Sequence, residues 1–122
     1  MVWCQSLPYI ADPDAKVLIL GSMPGVRSLQ TGQYYAHPQN HFWPLIYTVM
    51  ELPLPDNYTA RCRGLLKRAL AVWDVIASCY REGSSDAAIT DVTVNDFSQF
   101  MADHPSIQLI AFNGGKAAQL WR

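Results

Sequence analysis

Three short apolar runs organise this chain, and each is closed by turn residues. Val17-Leu18-Ile19-Leu20 runs straight into Gly21-Ser22-Met23-Pro24-Gly25. Val72-Trp73-Asp74-Val75-Ile76-Ala77 is followed by the polar stretch Tyr80 to Asp86, and Gln108-Leu109-Ile110-Ala111-Phe112 by Asn113-Gly114-Gly115. Short apolar runs bounded by turn residues read as strands buried on both faces. Strands are therefore expected over about Lys16 to Leu20, Val72 to Ala77 and Gln108 to Phe112. Between them the period becomes helical. Phe42, Leu45, Ile46, Val49 and Met50 fall at i, i+3, i+4, i+7 and i+8, which predicts a helix from about Gln39 to Met50 with that stripe inward. Pro53 and Pro55 end it. A second helix is expected from Tyr58 to Ala71, with Leu65, Leu66, Ala69 and Leu70 inward. A third runs from about Val94 to Met101, capped by Thr93 or Asn95, and a fourth from Lys116 to Arg122. Residues 22–39, broken by Gly25, Gly32 and Pro38, predict a long loop with two exposed tyrosines, Tyr34 and Tyr35. Trp3, Leu7, Tyr9 and Ile10 are expected to pack on the flank.

Strands alternating with helices argue for an α/β fold, a three-layer α/β/α arrangement around a central parallel sheet with right-handed crossovers. The strand-end loops at Ser22, Arg81 and Asn113 should then meet at one edge. Open sheets bind ligands outside the carboxyl ends of their strands, and a Gly/Pro turn there leaves backbone N–H groups free to face one. The expected pocket holds Ser22, Tyr35, His37, Asn40 and Asn113. Pattern alone names no substrate for it.

Composition narrows the class. The 122 residues show no shift in character, so one domain over 1–122 is expected. A net charge of −1 and a pI near 6.2 exclude a strongly basic, histone-like binder. They leave room for a nucleic-acid enzyme with a small local patch. Arg61, Arg63, Lys67 and Arg68 are the one basic cluster, either a solvated helix face or a phosphate contact. Cys4, Cys62 and Cys79 form no CxxC pair and no metal cluster. Three free thiols, no basic-then-apolar leader and no apolar run near the roughly 20 residues of a membrane span read as a cytoplasmic protein with no membrane partner. Ser-His-Asp order, a phosphate-loop lysine and a zinc deaminase signature are all missing. The scattered carboxylates argue against a paired-acid glycosidase.

Gly21-Ser22-Met23-Pro24-Gly25, followed by Thr31-Gly32-Gln33-Tyr34-Tyr35-Ala36-His37-Pro38-Gln39-Asn40-His41-Phe42-Trp43, resembles the first motif of the uracil-DNA glycosylase superfamily. The spacing is similar to that of the mismatch-specific uracil/thymine branch. Ser22-Met23 is closer to the hypoxanthine-DNA (deoxyinosine) glycosylase branch, as are Trp73-Asp74-Val75-Ile76, Asn95-Asp96-Phe97 and Phe112-Asn113-Gly114-Gly115-Lys116-Ala117. The resemblance covers almost the whole chain in order. It implies a uracil-DNA glycosylase-like fold and a base-excision enzyme that hydrolyses the N-glycosidic bond of a deaminated base, hypoxanthine and also uracil, flipped out of DNA, with no cofactor or metal. It implies a prokaryote-like protein working at the nucleoid. A truncated or catalytically reduced DNA-binding module of the same fold is the alternative.

Carried over by position, Tyr35 matches the residue that stacks on the flipped base. Gly21, Met23 and Gly25 belong to the loop whose N–H groups would meet it. Met23 stands where the mismatch branch has a water-positioning Asn, a task a thioether cannot perform. That moves the catalytic expectation to Asn40, its amide oxygen accepting from water and its N–H₂ held by backbone; the same residue can instead tie the loop to the first helix. His37 stabilises the departing base or a phosphate, or braces the loop. Asn113 reads the base edge, or is a turn residue before Gly-Gly. Ser22 is a pocket donor or a turn-former. Trp43 is expected in the core. In the loop after the second strand, Ser85 and Ala87 depart from the family's Gly-Ser-Leu-Asp-Ser pattern. The family continues past the third strand with a further helix, strand and DNA-entering loop, so this chain reads as C-terminally truncated, with an uncovered sheet edge open to self-association.

Overall fold

Val17–Gly21 forms the middle strand, β2, of a three-stranded parallel sheet in the computed structural model, which describes residues 2–121. Its partners are β3 (Leu70–Asp74) and β6 (Leu109–Phe112), in the order β3-β2-β6. Leu20 lies opposite Trp73 on one side and Phe112 on the other, and Gly21 opposite Asp74. Leu18 and Leu20, on one face of β2, are fully buried, whereas Val17 and Ile19 on the other are half-buried and β6 is exposed at three of its four positions, so the burial on both faces expected from the apolar runs is not reached on the β6 side. Helices α1 (Val26–Thr31), α2 (Phe42–Val49), α3 (Tyr58–Lys67), α4 (Phe97–Asp103) and α5 (Gly115–Leu120) fill the connections. The expected α/β fold with a parallel sheet is what the structure shows.

A second, antiparallel sheet was not visible in the pattern. It joins β1 (Trp3–Gln5), β4 (Ile76–Tyr80) and β5 (Thr90–Val94) in the order β1-β4-β5. The single strand expected over Val72 to Ala77 is therefore two strands in two sheets. The chain changes sheets at Val75, whose N–H donates to Gly21 O while its carbonyl accepts from Asn95 N. A continuous apolar run carries no mark of such a switch, because both strands bury their apolar residues.

Helix bounds shift for local reasons. Residues 39–41 make a turn before α2, fixed by Asn40 N donating to His37 O and Phe42 N to Asn40 Oδ1. The inward face of α2 is Trp43, Tyr47 and Met50, whereas Leu45 and Val49 are 63% and 68% exposed. The helix has no charged residue to set its orientation, and its aromatics win the core. Its exposed apolar face borders a groove with Ile19, Ala111 and Phe112 beside the β6 edge. The second helix ends at Lys67; Ala69 turns left-handed at φ 59° and Leu70 and Ala71 enter β3. The α4 cap is Asp96, accepting from Gln99 N at 3.0 Å. Thr93 lies in β5, and Asn95 Nδ2 donates to Asp74 O at 2.8 Å. Residues 22–39 contain α1, and Tyr80 ends β4 rather than opening a loop. The expected final helix is found over Gly115–Leu120; Arg122 lies outside the described residues.

The larger core packs Leu18, Leu20, Trp43, Tyr47, Leu65, Val72 and Phe100. The smaller one holds Cys4, Met23, Ile76, Cys79 and Ile89 between the sheets' ends. Gly64 of α3 faces the Tyr47 hydroxyl, which donates to Arg61 O at 2.7 Å. A methyl group there would collide with that hydroxyl. Alanine inside a helix ordinarily gains about 1 kcal/mol over glycine. Gly64→Ala is expected instead to lower stability by about 1–3 kcal/mol, the cost of overpacking a filled site, seen as a lower urea midpoint at unchanged slope. A raised midpoint would mean that Tyr47 swings aside freely.

Candidate active site

The carboxyl ends of β2, β3 and β6 open on a cavity of about 300 Å³, at the small end of the roughly 300–1,000 Å³ usual for small-molecule sites. The residues expected in the pocket line it, Arg81 excepted: Gly21, Ser22, Met23 and Gly25 from the loop after β2, Tyr35, His37 and Asn40 from the α1–α2 segment, and Asn113 from the end of β6.

The loop after β2 is held from below. Arg81 is 1% exposed, and its Nη2 donates to Pro24 O at 2.6 Å. Ser84 Oγ accepts from Val26 N at 2.9 Å, and Ser22 Oγ donates to Asp86 Oδ1 at 2.7 Å. The expected Arg81 loop thus reaches the site differently: Ser84 and Asp86 line the cavity, and Arg81 is packed beneath it. Among the described residues the N–H groups of Met23 and Gly25 have no protein acceptor, so they remain available as donors. The side chain of Met23 packs in the smaller core.

The α1–α2 segment is pinned at several points. Tyr34 N donates to Tyr58 Oη, Trp43 Nε1 to Tyr34 O at 2.8 Å, and Ala36 N to Ser28 Oγ. Tyr34, expected to be exposed, is 3% exposed and its hydroxyl donates to Leu7 O. Tyr35 adopts φ 53°, a left-handed conformation that costs a non-glycine residue about 1 kcal/mol or more and persists only when its surroundings enforce it. Its ring stacks on Phe42 with centroids 3.9 Å apart, and its hydroxyl accepts from Asn113 Nδ2 at 3.0 Å. Burial pushes the Tyr35 hydroxyl well above its ordinary pKa; the Asn113 hydrogen bond opposes that, and the charge of Asp74 adds to it.

Two side chains are engaged differently from expectation. The Asn40 oxygen, expected to face water, accepts from Phe42 N at 2.8 Å. His37 Nδ1 accepts from Gln39 N at 3.1 Å and so braces the turn. Of the basic cluster, Arg61 is tied to Pro55 O at 2.6 Å and lies 6.0 Å from the Trp43 ring. Arg63, Lys67 and Arg68 are exposed. Arg61 also lines a second cavity that shares Tyr34, Tyr35, His37 and Asn40 with the first.

Asp74 is the wall residue that the sequence reading passed over. It ends β3 opposite Gly21 and is 3% exposed. The signal was an acidic residue inside an apolar run, at the end of a strand that faces the site. Burial raises its pKa from 3.8 to about 7; the Asp86 charge adds to the rise, and the Arg81 guanidinium works against it.

A family model for the uracil DNA glycosylase superfamily matches residues 7–121. The chain belongs to the uracil DNA glycosylase superfamily, a family of DNA glycosylases, which are hydrolases of N-glycosyl bonds. Two curated members, each named hypoxanthine DNA glycosylase, come from Methanosarcina barkeri and Methanosarcina acetivorans. Each is 37% identical over 116 residues, 94% of this chain and 73% of the relative. A protein of Methanosarcina acetivorans assigned to the uracil DNA glycosylases, solved by solution NMR, superposes with a TM-score of 0.87 at 36% identity, covering 97% of this chain and 74% of that one. Among the described residues, no three His, Cys, Asp or Glu side chains converge to hold a metal ion, and no helix is long and apolar enough to cross a membrane. All three cysteines are free.

Proposed function

We propose that this chain is a DNA glycosylase acting on deoxyinosine, hydrolysing the N-glycosidic bond of a nucleotide turned out of the duplex and releasing hypoxanthine. The observation that carries the reading is the match, along nearly the whole chain, to two proteins named for that activity. The cavity agrees with it in chemistry. A base inside a duplex must leave the stack to be reached, and enzymes of this kind receive it in a snug pocket with an aromatic platform. Tyr35, backed by Phe42, takes the platform role with its outer face.

Bond cleavage leaves positive charge on the sugar and negative charge on the base. The site's task is to place a water and to offer donors where the negative charge grows. The free N–H groups of Met23 and Gly25 suit the second task, and Gly21 leaves room in the wall for the Asp74 carboxyl and the Tyr35 hydroxyl. Ser22, held by Asp86, fixes the loop and leaves its oxygen as an acceptor. Asn40 contributes its N–H₂, since its oxygen is engaged with the first turn of α2. Asn113 sets the Tyr35 hydroxyl, and through it one wall of the base pocket. His37 braces the turn, and its second ring nitrogen is left for a phosphate flanking the flipped nucleotide.

The test is base release from duplex oligonucleotides carrying deoxyinosine or deoxyuridine, read as alkali-labile strand cleavage. Cleavage at deoxyinosine is the expected result. Cleavage at deoxyuridine alone would replace the substrate. Binding without cleavage of either would make the chain a damage-binding module.

A further inference from the structure

Asp74 is the cavity-lining residue that is buried without being satisfied. Its Oδ2 has no hydrogen-bond partner. Its main chain is paired to Gly21 in the sheet, and its carbonyl accepts from Asn95 Nδ2. Its Oδ1 packs under Gly21, where a Cβ would come within 2.5 Å, so glycine at that position is what admits the carboxyl to the cavity wall. A buried carboxylate oxygen with no donor is costly, whereas the neutral acid costs far less and carries a proton to give. The groups around it come from three segments: Tyr34 and Tyr35 from the α1–α2 segment, Arg81 after β4, and Asp86 on the short 3₁₀ turn Asp86–Ala88. None of them forms a hydrogen bond to Oδ2. Burial and the Asp86 charge outweigh Arg81 and hold the carboxyl in its protonated form up to about pH 7.

We propose that Asp74 is the general acid of base release, its carboxyl proton passing to a ring nitrogen of the departing purine, N3 or N7, as the glycosidic bond breaks. The assignment rests on the deoxyinosine reading. The electron pair of the C1′–N9 bond leaves with the base, and the carboxyl O–H bond supplies the proton that keeps the base neutral. Water forms the new bond to C1′, and its proton returns to the Asp74 carboxylate. The sum is nucleotide plus water giving hypoxanthine and an abasic site, with the acid regenerated.

The experiment is single-turnover release of hypoxanthine against pH, for the wild type and Asp74→Asn. The wild-type rate should be level below about pH 6 and fall tenfold per unit above about pH 7, because only the protonated acid acts. General acid catalysis is worth about 10²–10⁴-fold. Asp74→Asn should lose a factor of that size in rate with DNA affinity retained, and its profile should flatten. The loss should shrink on a deoxyinosine analogue whose base carries an electron-withdrawing group, since such a base leaves well without a proton. Folding of the variant is checked by its melting temperature. The native pKa of about 7 lies above the unfolded value of 3.8, so the wild-type fold loses stability as pH climbs from about 4 to about 7, where the unfolded chain has given up a proton that the fold still holds. The gain in melting temperature of Asp74→Asn over the wild type should therefore grow between about pH 4 and pH 7 and level off above that. A pH-independent wild-type rate, or a defect confined to affinity and equal for both leaving bases, would overturn the assignment and leave Asp74 a base-holding contact. Absence of hypoxanthine release by the wild type, with uracil released, would overturn the substrate reading and this role with it.

Discussion

Asn40→Ala is expected to lower the rate of base release by about 10²–10³-fold, the size seen when one donor to a developing charge is removed, while the fold loses only about 1 kcal/mol. The small term follows from what the side chain does in the free protein. Its oxygen accepts from Phe42 N at 2.8 Å at the entry to α2, a cap-like bond of ordinary worth. The large term follows from where the rest of the amide lies, on an exposed rim shared by both cavities. Asn40→Asp separates the two. It keeps an acceptor for Phe42 N and places a favourable negative charge at a helix N-terminus, but it has no N–H₂. If the donor matters, Asp is as slow as Ala although its stability is intact. If the oxygen orders the attacking water through its second lone pair, Asp keeps most of the rate. Single-turnover release and a urea melt on both variants decide. Full activity in Asn40→Ala would remove Asn40 from the chemistry and leave it as the tie between loop and helix.

The parallel sheet was legible because four or five apolar residues stand unbroken between turn residues, even in β6, which is exposed at three of its four positions. Val17 to Leu20 and Leu109 to Phe112 were found almost to the residue. The antiparallel sheet was not legible, for three different reasons. Trp3–Gln5 is too short to show a period and has its aromatic 55% exposed. Thr90–Val94 is exposed at four of its five positions. Ile76–Tyr80 is hidden inside a run that looks like the continuation of β3. The α2 stripe misled because apolar residues surround the whole helix. Leu45 and Val49 have the right spacing, but the bulkier Trp43 and Tyr47 offer more area to bury and a polar atom each that finds a partner.

The site was legible in its membership more than in its bonding. Gly21 to Gly25, Tyr35, His37, Asn40 and Asn113 converge as the strand-end rule and the motif order led one to expect. Spacing could not tell that the Asn40 oxygen is engaged by backbone, that Asn113 serves the Tyr35 hydroxyl, or that Arg81 lies under the loop rather than on it. Hydrogen-bond polarity is decided by main-chain groups brought in from other elements, and those are invisible until the chain is folded. Asp74 shows the same limit from the other side. An acidic residue in a strand has no period of its own, and only the register opposite Gly21 places it in the cavity wall.

Trp43→Ala should cost about 3–5 kcal/mol of stability, as large-to-small changes of buried aromatics do. Against a total of roughly 5–15 kcal/mol for a domain, that removes a large share of the stability, read as a lower urea midpoint. Trp43 is 3% exposed and sits among Phe42, Tyr47 and Tyr58, with ring centroids at 5.1, 6.4 and 5.8 Å. Trp43→Phe is the more informative change. It keeps most of the packing and deletes the N–H that Tyr34 O accepts at 2.8 Å, leaving a buried carbonyl without its donor at a cost of about 1–3 kcal/mol. That carbonyl belongs to the peptide leading into Tyr35, whose φ of 53° is held by the bonds on either side of it. Once the carbonyl is released, Tyr35 can relax out of the strained conformation that keeps its ring against Phe42 and its hydroxyl under Asn113. Base release by Trp43→Phe should therefore drop by about tenfold or more at a temperature where the urea melt shows the protein fully folded, since a small misplacement of a positioning group is magnified in rate. A variant that loses stability but releases base at the wild-type rate would show that Tyr35 is fixed by its stacking on Phe42 and not by the Trp43 hydrogen bond.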